Sequence, residues 1–216
     1  MHIDIWSDLV CPWCYLGKRR IERALEDFDH RSEVTIAHRS FQLDPSRPKH
    51  ETINRRRMLM AKYHLTEDQV SVMDEKMERT AAADGLTYRL SPDGVTGNTL
   101  DAHRVLHLAK ARGRQDETLD RLYRAYFSEQ RSIFDAESLV TLARDAGLDA
   151  DEARQVLQTD AFAQDVTADL REARMLGVSG VPFFVIDDRY AVSGAQPVDI
   201  FRQALRHAWA DRVIAS

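Results

Sequence analysis

The spacing of hydrophobic residues changes twice along this chain, and that pattern restricts its possible folds more than any other feature. From His2 to Ser7 the residues alternate, with Ile3 and Ile5 set against Asp4, as in a short strand. Cys11, Cys14, Lys18, Ile21, Leu25 and Phe28 then recur at intervals of three and four, which is a helical period. Pro12 stands where a first-turn proline is tolerated, so this helix should begin around Cys11. Val34 to Leu43 carries β-branched and apolar residues ahead of a Pro45–Pro48 breaker and reads as a second strand, completing an opening βαβ unit.

No strand stands out over roughly the next 130 residues. Thr66-x-x-Gln69 is a capping box, and Val70, Met73, Met77 and Ala81 form a helical stripe that stops at Gly85. Further stripes run through Ala102–Ala109, Leu119–Phe127, Leu139–Ala146 and Phe162–Ala173, with Asp135 and Asp149-x-x-Glu152 placed as helix starts. The period then shortens again. Val181–Ile186, the acidic pair Asp187-Asp188 and Tyr190–Val192 read as a hairpin, and Pro197 opens a last helix bearing Ile200, Phe201 and Leu205. A chain of 216 residues suits one large domain carrying an insertion. The pattern assigns residues 1–42 and 178–216 to one discontinuous α/β domain and 43–177 to an inserted helical domain.

Thirty basic against 35 acidic residues give a net charge of −5, which disfavours nucleic acid or an anionic membrane as partner. Arg55-Arg56-Arg57 has no interleaved aromatics and reads as a solvated helix face. No apolar run approaches the ~18–20 residues needed to cross a bilayer. Met1-His2-Ile3-Asp4 lacks the basic start and apolar stretch of a secretory signal, so the expected compartment is the cytoplasm.

Two cysteines, Cys11 and Cys14, are all the chain contains. A bridge closing so short a loop would be a poor structural staple. At the first turn of a helix, a Cys11 sulfur faces unpaired N–H groups and the positive end of the helix dipole, which favours thiolate over thiol. Cys14, one turn on, lies within bonding reach but deeper. An accessible nucleophile beside a shielded resolving thiol is what thiol–disulfide exchange requires. Two other readings compete: a zinc site completed by His103 and His107, and a pair of inert buried thiols. The histidines are distant in sequence and lie on a face that reads as polar, beside Arg104 and Lys110, so no metal is expected. Asp4 and Asp8 flank the first strand, where a carboxylate is a candidate relay for the Cys14 proton, or simply a solvated strand-end charge.

The segment from Asp8 to Arg19, with Cys11-Pro12-Trp13-Cys14 at its centre, resembles the active-site segment of DsbA-like thiol–disulfide oxidoreductases of the FrnE type. So do Phe41-Gln42-Leu43-Asp44-Pro45, Asn98-Thr99 with Ala102-His103-Arg104, Gly177 to Phe184, and Val192 to Pro197. The resemblance implies a thioredoxin-like fold with a large helical insertion. It also implies a cis peptide bond before Pro182, with that proline beside the reactive pair as a second catalytic element. Pro182 has no N–H to pin the Cys11 sulfur, and Val181 would offer its backbone to an extended substrate segment. Trp13, Asn98 and His103 are the other substrate-binding candidates.

The implied activity is oxidation, reduction or isomerisation of protein or small-molecule disulfides through a mixed disulfide, without metal or organic cofactor. Glutathione is a candidate co-substrate. An alternative shares the architecture: the glutathione-dependent hydroxychromene-carboxylate isomerases and kappa-class transferases, which usually carry Ser in place of the first cysteine. A third reading is a non-catalytic holdase. The Pro-Trp dipeptide supplies no imidazole to stabilise a thiolate, and reducing surroundings would keep the pair mostly dithiol, so strong oxidase behaviour is not expected.

Overall fold

A computed structural model of the protein describes residues 1–49 and 51–214. The chain forms two compact units, one made of Met1–Leu43 with Ala168–Ser216 and the other of Asp44–Thr167. In the first, strand β1 (His2–Ser7) leads into helix α1 (Pro12–Glu26), and a 3-10 turn at Arg31–Glu33 precedes β2 (Thr35–Ser40). The two strands pair in parallel from His2 opposite Thr35 to Ser7 opposite Ser40.

The second unit holds β3 (Thr52–Asn54), α2 (Arg55–Tyr63), α3 (Glu67–Ala83), β4 (Val95–Gly97), α4 (Leu100–Ala111), α5 (Gln115–Phe127), α6 (Ala136–Asp145) and α7 (Ala150–Gln158). The capping signals act where they stand. Thr66 and Gln69 cap each other's amides at the start of α3, Asp135 accepts from Ser138 N at 2.8 Å, and Asp149 accepts from Glu152 N at 2.8 Å. Val105, Leu108, Val140, Ala143, Ala153 and Val156 bring α4, α6 and α7 around one core.

Three features of this unit differ from the sequence expectation. β3 and β4 pair antiparallel, Ile53 opposite Thr96, in a block that shows no strand by periodicity, because three residues are too few to display alternation. The arginine run is not a freely solvated face. Arg55 makes a two-pronged ion pair with Asp74, and Arg56 pairs with Glu67 at 2.8 Å. The face of α4 that reads as polar is buried, with His103 and His107 both inside and Arg104 donating to the carbonyls of Val156 in α7 and of Thr159 and Ala161 beyond it.

Helix α8 (Ala163–Met175) leads back to β5 (Phe183–Ile186), β6 (Tyr190–Ser193) and α9 (Val198–Ile214). The four-stranded sheet runs in the order β2-β1-β5-β6, with β5 antiparallel to β1 and β6 antiparallel to β5. Asp187 and Asp188 both take positive φ in the hairpin turn, where short acidic side chains tolerate the left-handed region. Asp187 also accepts from His2 N at 2.7 Å, tying the turn to β1.

Alternation on β1 sorts its residues between two buried faces. Ile3 and Ile5 join Phe184, Ile186, Ile21, Leu25, Phe201 and Leu205 in the core under α1 and α9. Trp6 points the other way, packs with Ala173, Val178 and Val185, and donates its indole N–H to Asp169 O at 3.1 Å. Both faces being covered, β1 is the rigid central strand that fixes where α1 begins.

Candidate active site

Beyond Ser7 the chain turns sharply, closed by Cys11 N donating to Asp8 O at 3.1 Å. Cys11 is the N-cap of α1 with extended dihedrals (φ −90°, ψ 112°), and its side chain makes no capping bond. Pro12 takes the next position, where its missing N–H costs nothing, and Cys14 N donates to Cys11 O at 3.0 Å. The first turn of α1 is therefore built around the cysteine pair.

Cys11 and Cys14 approach to 3.5 Å and are not bonded to each other. Cys11 is 6% exposed and Cys14 1%. The order of depth follows the expectation, although Cys11 is itself more enclosed than an openly accessible nucleophile. Burial pushes the Cys14 thiol well above the ordinary thiol range. A hydrogen bond donated by the Cys14 thiol to the Cys11 sulfur and a charge there push in the same direction, as does the Asp8 charge, against a lowering backbone contact at Asp8. Cys14 is thus held as the neutral thiol.

The loop before β5 closes the other side. Cys11 Sγ donates to Val181 O at 3.5 Å, and the Val181–Pro182 peptide bond is cis. Pro182 O accepts from Gly194 N at 2.8 Å, which ties the loop to the end of β6. Gly17, one turn beyond Cys14, is the residue that sequence reasoning passed over. A Cβ there would stand 2.8 Å from Pro182 Cγ and 3.2 Å from Phe184 Cζ, so α1 reaches this loop only because position 17 has no side chain. A glycine inside a strong helical pattern is the one available signal.

Asp8 is buried, and its Oδ2 accepts from Leu43 N at 2.7 Å. Asp4, the other relay candidate, is instead engaged with Arg39 at 2.5 Å on the neighbouring strand and with His2 at 3.2 Å. Trp13 stands 46% exposed beside Cys14. The fold thus gathers Cys11, Cys14, Val181 and Pro182 in the first unit, with Trp13 next to them. Asn98 and His103 belong to the second unit. There Asn98 Nδ2 donates to Arg47 O at 2.6 Å and its Oδ1 accepts from Leu100 N at 2.8 Å, at the entry to α4, while His103 is buried within that helix. Among the described residues, no helix is long and apolar enough to cross a membrane.

Three comparisons bear on this arrangement. A probable DsbA oxidoreductase from Streptomyces coelicolor is 51% identical and superposes with a TM-score of 0.94, covering 97% of this chain and 90% of its own. The uncharacterised protein YwbO of Bacillus subtilis is 28% identical over 207 residues, covering 95% of this chain and 96% of its own. The cytosolic disulfide reductase DsbM from Pseudomonas aeruginosa shares the fold at 18% identity, with a TM-score of 0.66 and coverage of 97% and 99%. The DSBA-like thioredoxin domain matches residues 2–206, and the chain belongs to that family.

Proposed function

We propose that the chain exchanges thiols and disulfides through Cys11 and Cys14. The observation that carries this reading is the 3.5 Å approach of the two sulfurs at the first turn of α1, with the deeper one held protonated. In the reducing direction the Cys11 thiolate attacks a substrate disulfide, forms a mixed disulfide and releases one substrate thiolate, which takes up a proton. Cys14 then gives up its proton and attacks the Cys11 sulfur. The Cys11–Cys14 disulfide forms, and the second substrate thiol leaves. Two external thiols restore the pair, the first forming a mixed disulfide with one cysteine and the second displacing it as their own disulfide, and the reverse sequence oxidises a dithiol. The 51% identity to a probable DsbA oxidoreductase supports the same reaction class.

Within this reading Pro182 flanks the pair without an N–H to trap the Cys11 sulfur, and Val181 presents backbone to an extended substrate segment. Trp13 offers an exposed indole face to an apolar substrate group. Asn98 and His103 remain proposed substrate contacts on family resemblance alone. The proposal needs no metal or organic cofactor and takes glutathione as a co-substrate beside protein or small-molecule disulfides. The cytoplasm is the proposed compartment, and the structurally similar Pseudomonas protein is a cytosolic enzyme. There the pair would rest as dithiol and act chiefly as a reductant.

Turnover of a disulfide-bonded peptide with glutathione as reductant, in the parent, Cys11→Ser and Cys14→Ser, tests the scheme. Cys11→Ser should be inactive, and Cys14→Ser should stall as a mixed disulfide visible on a non-reducing gel. Full turnover by Cys14→Ser would overturn the dithiol mechanism in favour of a glutathione-dependent enzyme using one cysteine.

A further inference from the structure

The second unit contains a cleft of about 150 Å³ lined by Arg55, Arg89 and Arg131 together with Tyr126, Phe127 and Phe134. Among the described residues no aspartate or glutamate lines it. In a chain of net charge −5 that lining is unusual, and the surrounding ion pairs do not cancel it. Arg55 is balanced by its two-pronged contact with Asp74, at 2.9 and 2.7 Å. Arg131 is not so matched. It lies 3.6 Å from Asp145, which Arg121 approaches at 3.3 Å and Arg144 at 4.0 Å. Arg121 and Arg124 also share Glu129, at 3.0 and 3.5 Å. Four arginines thus divide two carboxylates. Arg89 is exposed and makes no ion pair among the described residues.

The aromatic lining of the cleft is stiff. Tyr126 donates its hydroxyl to Val95 O at 2.9 Å and stands edge-on to Phe134, with ring centres 5.7 Å apart. Gln130, also in the lining, takes φ +56° where the chain leaves α5, with Arg131 N donating to Ala125 O at 2.9 Å in the left-handed turn that commonly ends a helix. A cavity of about 150 Å³ holds a single benzene-sized ring. Guanidinium groups and aromatic rings lining one cleft recognise an acid group attached to such a ring.

We propose that this cleft binds a small organic anion with a flat apolar body, its carboxylate or phosphate at Arg89 and Arg131 and its ring against Tyr126 and Phe134. Its lining lies wholly in the second unit and the cysteine pair in the first, and binding does not require Cys11.

Amide NMR titration of the whole chain with benzoate, phenyl phosphate, neutral benzamide and inorganic phosphate tests this. One or both aromatic anions should bind saturably and shift signals from Ser91 to Val95 and from Gln130 to Phe134. Arg89→Gln, a change at an exposed side chain, should weaken that binding about tenfold, the loss of one charged hydrogen bond. Cys11→Ser should bind as the parent does. Benzamide binding as tightly as benzoate would remove the anion from the proposal, and inorganic phosphate binding as tightly as phenyl phosphate would remove the apolar body. Saturation elsewhere on the chain, unchanged affinity in Arg89→Gln, or no binding by either aromatic anion would overturn it outright.

Discussion

Gly17 of α1 lies so close to Pro182 that a single methyl group on the glycine would come within 2.8 Å of the proline ring. That contact joins the helix carrying both cysteines to the loop whose Val181 carbonyl receives the Cys11 thiol. The loop has little room to retreat, since Pro182 O is bonded to Gly194 N at 2.8 Å and Phe184 behind it is fully buried. Helix, cysteine pair and proline loop therefore form one packed assembly, and position 17 sets the gap between them.

Gly17→Ala tests this directly, because two effects of opposite sign compete there. In a free helix alanine is better than glycine by about 1 kcal/mol. Overpacking a tight contact costs about 1–3 kcal/mol, and here the obstacle is a ring on an anchored backbone rather than a flexible side-chain end. The steric effect should win. Urea unfolding of the reduced protein should show a loss of stability, and disulfide exchange should slow as the loop is pushed from Cys11. A gain in stability with unchanged exchange would mean that the loop yields freely and that Gly17 does not set the gap.

The Cys14 thiol should stay unreactive well into the alkaline range. Its pKa is raised chiefly by burial, and the Asp8 charge adds to the shift. Alkylation across pH followed by mass mapping should label Cys11 first. Asp8→Asn, which keeps an oxygen for Leu43 N but removes the charge, should bring Cys14 labelling to lower pH. The same shift has a sign in stability. A folded-state pKa above that of a free thiol, about 8.5, means the folded chain holds this proton more tightly. The reduced protein should therefore lose stability as pH rises from about 8.5 towards the folded pKa, and Cys14→Ser should lack that part of the loss. Early labelling of Cys14 would reverse the assignment of nucleophile and resolving thiol.

What could be read in advance follows the range of the forces involved. Ile3 and Ile5 announce β1, Pro12 announces the start of α1, and Thr66-x-x-Gln69 announces α3, because each acts within one or two turns of chain. The cysteine pair was legible for the same reason. Relations fixed only by the tertiary fold were not. Thr52–Asn54 is a strand because Val95–Gly97, far along the chain, lies beside it. Gly17 gives no sign of its neighbour, since Pro182 is brought there by β5 pairing with β1. Asp4 and Asp8 look alike in sequence, but Asp4 is engaged by Arg39 on β2 while Asp8 is the carboxylate that acts on Cys14.

Arg104 is the sharpest case, because its charge suggests solvent while its partners are mostly main-chain carbonyls. The guanidinium is 1% exposed and donates to Ala161 O at 2.8 Å and to the carbonyls of Val156 and Thr159, closing the chain beyond α7, while Asp101 accepts from it at 2.8 Å. Lysine carries the same charge but cannot span this set with one ammonium group. Removing the fork leaves Val156 O with its bond from Thr159 N at 3.4 Å but takes the guanidinium donor from the carbonyls of Thr159 and Ala161, each such charged hydrogen bond contributing about 1.5–3 kcal/mol. Lys49, 3.2 Å from Asp101, would keep that carboxylate partnered, so the loss should come from the carbonyls rather than from an orphaned charge. Arg104→Lys and Arg104→Met should therefore destabilise the protein similarly, by about 3 kcal/mol or more in urea unfolding. If Arg104→Lys keeps the parent's unfolding midpoint while Arg104→Met does not, charge rather than the guanidinium fork holds α7, and the capping account fails.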